Sequence, residues 1–392
     1  MNRTPELKLI VYQMGATTIS PIGILQEYIS LSYTPCFDDI GSFELNLPFS
    51  VEAMNLVQRQ DNCEKLVLLE DGICGICHKV QLSQSPSEKT IKIKGQLAEG
   101  LLDNFAIPQK IVPIPYSAAE AVDIQYHTYA EAERNWSSAD GTWWRGVEPI
   151  IHETDSSYLL LDGYNGGRSS GTRFIRDFCM ICDKGYSVRY DDTDARFKFQ
   201  FLSYADRTVN QSTNPPVLIS TKLGSLYSSK FVLNSQNWKN IVFAVAKYSY
   251  NGNEYTTEIP VTYDEYTGGI SDIPRKDRRA VYVEMDLTAE TVSSVADVNK
   301  MVKREAKKIL YEYALVKSYD CSINPTDNSF IFGVDYFLGD KVTIYDEELQ
   351  LQLDAQVKEY TMTYSSSGKK FEPVFGFSQP TLNRILKQKG VI

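Results

Sequence analysis

The feature that most constrains this chain is a close succession of short runs that alternate apolar and polar residues and end in turn residues. The first part reads LKLIVYQ, EYISLSYTP, SFELNLPF, KLVLLED, ICGICHKVQLS and TIKIKGQLAE, interrupted at Asp38-Asp39-Ile40-Gly41 and at Asp71-Gly72. Runs of this kind are strands, and their short spacing predicts a small barrel or sandwich over residues 1 to 105. Aromatic residues make up 12% of the 392, chiefly 25 Tyr and 17 Phe, and such side chains favour sheets. A chain of this length is expected to divide into more than one unit. Helical periodicity appears near 117–134, 171–183 and 293–316, a strand-rich piece lies at 216–250, and strands return from 328 to 377.

Charge and hydropathy remove several classes. Fifty acidic residues against forty basic ones give a net charge of −10, which argues against a dedicated nucleic-acid binder. No run approaches the ~20 apolar residues that a spanning helix needs, so no membrane insertion is expected. The start, MNRTPELKLIVYQ, has neither the apolar stretch nor the cleavage site of an export signal and reads as a strand. Seven cysteines, an odd number, point to reduced thiols.

Two Cys-x-x-Cys pairs invite chemistry. Cys74-Gly75-Ile76-Cys77-His78 matches the pattern of covalent haem attachment. On a strand, however, Cys74, Ile76 and His78 share one face while Gly75, Cys77 and Lys79 share the other, so the two thiols diverge. Cys179 and Cys182 fall on a predicted helix with Phe174, Phe178 and Ile181, where positions three apart do share a face. That geometry is compatible with a redox or metal role, against the plainer reading of a core helix lined with small thiols.

Other candidates fail on their own chemistry. Gly166-Gly167-Arg168-Ser169-Ser170-Gly171-Thr172 imitates a phosphate loop but lacks the lysine after the last glycine, leaving Ser170 or Thr172 as a helix cap. Asp191, Asp192 and Asp194 could serve a glycosidase, yet their flanks alternate as a hairpin does, which makes them its solvated tip. His78, His127 and His152 form no recognised catalytic or metal pattern. Lys300, Lys303, Arg304, Lys307 and Lys308 lie on a helix whose other side carries Val295, Val298, Val302, Ile309 and Tyr313. They, like the run Arg275-Lys276-Asp277-Arg278-Arg279, read as a solvated face or a subunit contact. No catalytic, cofactor-binding or metal-ligating residue is assigned.

A faint echo links VQLSQSPSEKTIKIKG (80–95) to VKEYTMTYSSSGKKFEPVFG (357–376), each a strand, a Ser-rich tip, a basic residue and a second strand ending in glycine. Together with SFELNLPF, KIKGQLAEGLLDNFAIP, YADRTVNQSTNPPVLIS, SSKFVLNSQNWKNIVFAVA, LGDKVTIYDEELQLQLDAQVKEYTMTY and FEPVFGF, these segments form an ordered series. The series resembles the siphovirus tail hub family, the ReqiPepy-type tail protein, over nearly the whole chain. Relatives of that family include the baseplate hubs of contractile tails and the N-terminal region of tail-associated lysins.

The resemblance implies a β-rich α+β fold of two small antiparallel β-barrels with an inserted mixed domain. The first barrel would span 1–105 and the insert 106–215 with 251–327. The second barrel would be assembled from 216–250 and 328–378, followed by a tail at 379–392. It implies no enzyme and no cofactor; where hubs carry lysis activity it sits in an added C-terminal domain, and none is expected after TLNRILKQKGVI. It implies a homotrimer at a virion tail tip, assembled in the host cytoplasm. Expected partners are the tail tube or distal tail protein and tip, fibre or spike proteins, with DNA only passing through the channel. The alternatives are a peptidoglycan hydrolase using the 191–194 carboxylates and a carbohydrate- or receptor-binding module using Trp136, Trp143 and Trp144.

Overall fold

A computed structural model describes residues 7–15, 18–58, 63–85, 89–104, 106–107, 147–149, 169–193, 195–223, 226–263, 270–271, 277–288, 292, 294–323 and 329–376. The chain divides into two compact units, residues 1–204 with 359–372, and residues 205–358 with 373–392.

In the first unit, strands β1 (Leu9–Met14), β2 (Ile19–Leu25), β3 (Ser30–Thr34) and β4 (Ser42–Pro48) precede the short helix α1 (Val51–Val57). Strands β5 (Glu64–Leu68), β6 (Cys74–Gln84) and β7 (Lys89–Leu97) follow, then a 3-10 turn at Ala98–Asn104. The period-two pattern settles each face: in β4, Phe43, Leu45 and Leu47 are buried while their neighbours are not. Hydrogen-bonded neighbours run β3-β4-β7-β6-β5-β1-β2, all antiparallel. Gly95 permits the β6–β7 approach, because a Cβ there would lie 1.6 Å from the Ile76 carbonyl oxygen.

The short strands β8 (Ala106–Ile107), β9 (Val147–Pro149) and β10 (Ser169–Ser170) lead to helix α2 (Gly171–Cys182). The Ser170 hydroxyl caps α2 by accepting from the Arg173 N–H at 3.3 Å, and Asp183 ends it in the left-handed region at φ 54°. The hairpin β11 (Gly185–Asp191) and β12 (Arg196–Leu202) then supplies Phe197, Phe199 and Phe201 from one face of β12. These rings, with Phe174, Phe178 and Ile181 of α2 and Tyr12, Leu66 and Ile76 of the sheet, form one core.

That core encloses Glu99, which is 6% exposed, with one carboxyl oxygen 3.3 Å from the Val188 N–H. Burial pushes its carboxyl above the usual range, and the Arg189 guanidinium offsets this only in part. A raised folded value favours folding below the unfolded value, and the benefit is lost as pH rises through the folded one. Glu99→Gln is therefore expected to raise the melting temperature by about 2–4 °C at pH 7–8. The gap to the parent should shrink toward acid, as scanning calorimetry over pH would record.

The second unit opens with β13 (Asp206–Arg207) and β14 (Leu218–Ser220), then β15 (Leu226–Asn234), β16 (Ile241–Tyr250), β17 (Asn253–Tyr263), β18 (Ile270–Ser271) and β19 (Ala280–Asp286). Helix α3 (Val295–Glu312) follows, capped by the Ser294 hydroxyl accepting from the Asp297 N–H at 3.2 Å. The remaining strands are β20 (Val316–Ile323), β21 (Lys341–Asp346), β22 (Leu351–Ser365) and β23 (Gly368–Gly376). Strand β15 pairs with β20, and β20 with the end of β23. Strand β21 pairs in parallel with β13 and β14 and antiparallel with the first part of β22. A separate sheet runs β18-β17-β16-β19, and α3 packs Val298, Val302, Ala306 and Leu310 onto its Val242, Ala244 and Ala246.

Residues 359–372 return the chain to the first unit, where Met362–Ser365 of β22 pair antiparallel with β3. In the strand order the hairpin at 80–95 stands next to β4, and residues 362–365 of the hairpin that echoes it stand next to β3. The fold is β-rich with antiparallel sheets and few helices, as expected. Among the described residues no sheet closes into a barrel, which corrects that part of the expectation. The path stays open at β2, an edge strand whose Pro21 lacks a donor and whose register against β1 is broken by a bulge at Val11/Tyr12.

Candidate functional site

Strand β6 carries Cys74 and Ile76 into the core, and Cys77 is buried as well. His78 does not follow them inward: the β6–β7 register slips between Cys77 and Lys79, and His78 is exposed with its ring 3.2 Å from the Gln96 side-chain oxygen. The pattern therefore does not set two thiols and an imidazole around one group. On α2, Cys179 and Cys182 do share the buried face and lie among the core rings with no disulfide between them. Burial pushes the Cys74 thiol well above its ordinary range and the Cys77 thiol up to about 12. All four should resist an aromatic disulfide reagent until the first unit unfolds, and the folded protein should show no haem absorption. A fast reaction of Cys74 or Cys77 in native buffer would contradict this.

The carboxylates at 191 and 192 stand on the β11–β12 turn, and Asp194 lies outside the described residues. Asp191 accepts from the Thr193 N–H at 2.8 Å, a local turn contact. Asp192 is not merely solvated, because the Tyr12 hydroxyl donates to it at 2.9 Å from β1. The basic helix also differs from expectation. Arg304 and Lys307 of α3 are 4% and 8% exposed, so that side is packed rather than solvated. Of the loop at 166–172, Ser170 is a helix cap, while residues 166–168 fall outside the description. Also outside it are the predicted helix at 117–134, His127, His152, Trp136, Trp143, Trp144, Arg275, Lys276 and the tail at 379–392. Among the described residues no three His, Cys, Asp or Glu side chains gather as a metal site would require.

The polar groups that the fold does bring together are clasps between distant segments. In the first unit Glu70 follows β5 on a tight turn through Asp71 (φ 54°) and Gly72 (φ 72°). Its carboxylate accepts from the hydroxyl of Tyr33 and from that of Tyr364 at 2.6 Å, and Lys369 lies 3.3 Å from both oxygens. Tyr33 and Tyr364 are nearly fully buried and stack with ring centroids 6.5 Å apart. Burial acts to raise the Glu70 carboxyl, but the two phenols and the Lys369 ammonium outweigh it and hold the group below its ordinary range.

In the second unit Asp340 is the hub of a similar arrangement. One oxygen accepts from the Ala205 N–H at 2.7 Å, and the other takes Arg207 Nε at 2.8 Å and the Phe337 N–H at 3.1 Å. Nearby on the same β21 segment, the Tyr319 hydroxyl donates to Asp346 at 2.6 Å. The Thr221 hydroxyl, working against desolvation, and the Ser220 hydroxyl at 2.7 Å hold Glu347 down to about 2. No sequence motif announces these sites. Asp340, Asp346 and Arg207 do lie in the segments YADRTVNQ and LGDKVTIYDEE, which the parallel pairing of β13 and β14 with β21 brings together.

The chain has the fold of prophage tail proteins. It shares that fold with tail protein gp18 of a Listeria monocytogenes EGD-e prophage at 15% identity, covering 98% of this chain and 99% of that one with a TM-score of 0.53. The 43 kDa tail protein of prophage MuSo2 from Shewanella oneidensis matches at 12% identity, over 94% and 98% of the two chains, with a TM-score of 0.54. A tail protein from Neisseria meningitidis MC58 matches at 12%, over 94% and 96%, with a TM-score of 0.53. The chain belongs to the Siphovirus ReqiPepy6 Gp37-like family, whose model matches residues 173–377, just over half its length. No curated protein matches it by sequence.

Proposed function

We propose that this chain is a structural hub of a phage tail tip or of a related tail-like particle. In this reading three copies form a closed ring around the DNA channel and join the hexameric tail tube to the tip. The observation that carries the reading is the family match combined with a fold shared along almost the whole chain with prophage tail proteins. Each chain contributes two compact units, so three chains offer six to a sixfold partner, and a closed ring terminates the tube. A net charge of −10 suits a wall past which DNA slides, since surplus acid repels phosphates. Its partners would be its own copies, the tube or distal tail protein, and tip, fibre or spike proteins, in a virion assembled in the host cytoplasm.

The hub is read as non-catalytic. Asp192 is engaged by Tyr12 on a hairpin tip, an arrangement that suits structure rather than a pair of carboxylates flanking a sugar. Cryo-electron microscopy of the assembled tail tip tests the whole reading: three copies per ring are expected, and a strictly sixfold hub density would reject it. Release of muropeptides from cell walls that disappears in Asp192→Asn would instead establish a hydrolase.

A further inference from the structure

Strand β6 outruns its neighbour β5, which pairs only with Cys74, Gly75 and Ile76. From Lys79 to Gln84 it is bonded to β7 on one side and, among the described residues, to no strand on the other. The two faces of that edge differ in chemistry. Val80 and Leu82 stand opposite Ile93 and Ile91, which are fully buried beside Leu45 and Leu47 of β4, yet Leu82 is 49% exposed. On the other face Lys79 stands opposite Lys94. Glu44, the acid of that row, is engaged by Lys92 at 2.5 Å and by Lys94 at 2.8 Å. An edge that ends one face at an exposed leucine and the other at surplus ammonium calls for a strand alternating apolar with acidic residues.

The chain carries such a strand. Of the longer strands that end a hydrogen-bonded path, β2 has no charged residue and β15 has only Lys230. Strand β11 donates the N–H groups of Tyr186 and Tyr190 to the carbonyls of Phe37 and Gly72. Strand β19 differs: it pairs with β16 along one edge, and among the described residues its other edge has no strand. Val281 and Val283 pack against the core under α3, while Tyr282, Glu284 and Asp286 alternate with them and are exposed. We propose that the open edge of β6 takes β19 of a second copy as an antiparallel strand. Lys79 then faces Glu284, Val80 faces Val283, Gln81 faces Tyr282 and Leu82 faces Val281. A slip of one residue would set Lys79 against a valine, so the alternation fixes the register. One edge lies in the first unit and the other in the second, so the contact is head-to-tail and repeats from copy to copy until a ring closes. This pairing, which rests on the ring reading above, gives that ring its interface.

Zero-length coupling of carboxylates to amines, on a concentrated equal mixture of isotopically light and heavy full chain, tests the pairing by mass spectrometry. A Lys79–Glu284 link is expected, with light–heavy products as abundant as the two single-isotope products together. Lys92–Glu44, at 2.5 Å, is the internal control. Links confined to single-isotope products would place both strands in one chain and overturn the assignment. So would absence of the link while the control pair couples. In sedimentation, Lys79→Glu and Glu284→Lys, both surface changes, should each weaken self-association roughly tenfold, and the double exchange should recover most of it. Single variants that associate like the parent would reject the pairing. In images of the tail tip, a threefold hub with Lys79 and Glu284 far apart would reject the pairing alone. A strictly sixfold hub would reject the ring and the pairing with it.

Discussion

Glu70→Ala is expected to lower the stability of the first unit by about 2–4 kcal/mol, the largest loss of any single change in that unit's polar contacts. The carboxylate is three-quarters shielded and serves two buried phenols and an ammonium at once. Its removal strands the Tyr33 and Tyr364 hydroxyls, each in a nearly water-free environment, and leaves Lys369 without its counter-charge. Denaturant unfolding followed by a probe in the first unit would show the midpoint shift. Tyr364→Phe should cost only about 1 kcal/mol, since it removes one donor and strands no buried group. The pH dependence follows from the same contacts. A carboxyl held below its ordinary value stabilises the fold above the unfolded value, and that contribution is lost as pH falls through the folded one. The parent should therefore lose stability in acid faster than Glu70→Ala, which has no such group to protonate.

Asp340→Ala should have an effect of similar or greater size in the second unit, about 3–5 kcal/mol. Asp340 is 4% exposed and satisfies two backbone N–H groups as well as the Arg207 guanidinium. Alanine would leave a mostly buried guanidinium and two part-buried backbone donors unmatched, all within the junction where β13 meets β21. Asp340→Asn keeps one acceptor and should recover part of the loss, whereas Arg207→Ala leaves the backbone contacts in place and should cost less. Circular dichroism melts of the three variants would order them. An Asp340→Ala protein as stable as the parent would mean that this junction is held by the strand pairing alone.

Much of the fold is readable from local pattern. Phe43, Leu45 and Leu47, or Phe197, Phe199 and Phe201, alternate with polar residues, and the structure buries them as that period requires. The hairpin at 191–196 and the cap at Ser170 likewise follow from turn and helix-end chemistry. What local pattern cannot supply is the partner of each edge. Strand β3 is flanked by residues 362–365, more than three hundred positions away, and nothing in SLSYT specifies that neighbour. Cys77 diverges from Cys74 and Ile76 as the alternation requires, whereas His78 departs from it because the register slips there by one residue. Arg304 and Lys307 read as a solvated face or a subunit contact because charge predicts exposure on average, while their burial within the chain is set by tertiary surroundings. The clasps at Glu70 and Asp340 leave no local signal, because a lone acid beside a strand end looks the same whether it faces water or a tyrosine.

The clasp at Glu70 also sets a schedule. Its second phenol, Tyr364, is 294 residues downstream, so the ribosome must add all of them before the first unit can close. At bacterial elongation rates that interval is roughly 15–60 s, long compared with the formation of any hairpin in the sheet. Through that time β3 waits with an unpaired edge, a state in which nascent chains recruit chaperones or each other. A product cut short by premature termination would never acquire Tyr364 or Lys369. The same contact that stabilises the finished molecule thereby acts as a completeness check, keeping unfinished chains from presenting a native surface to an assembling particle.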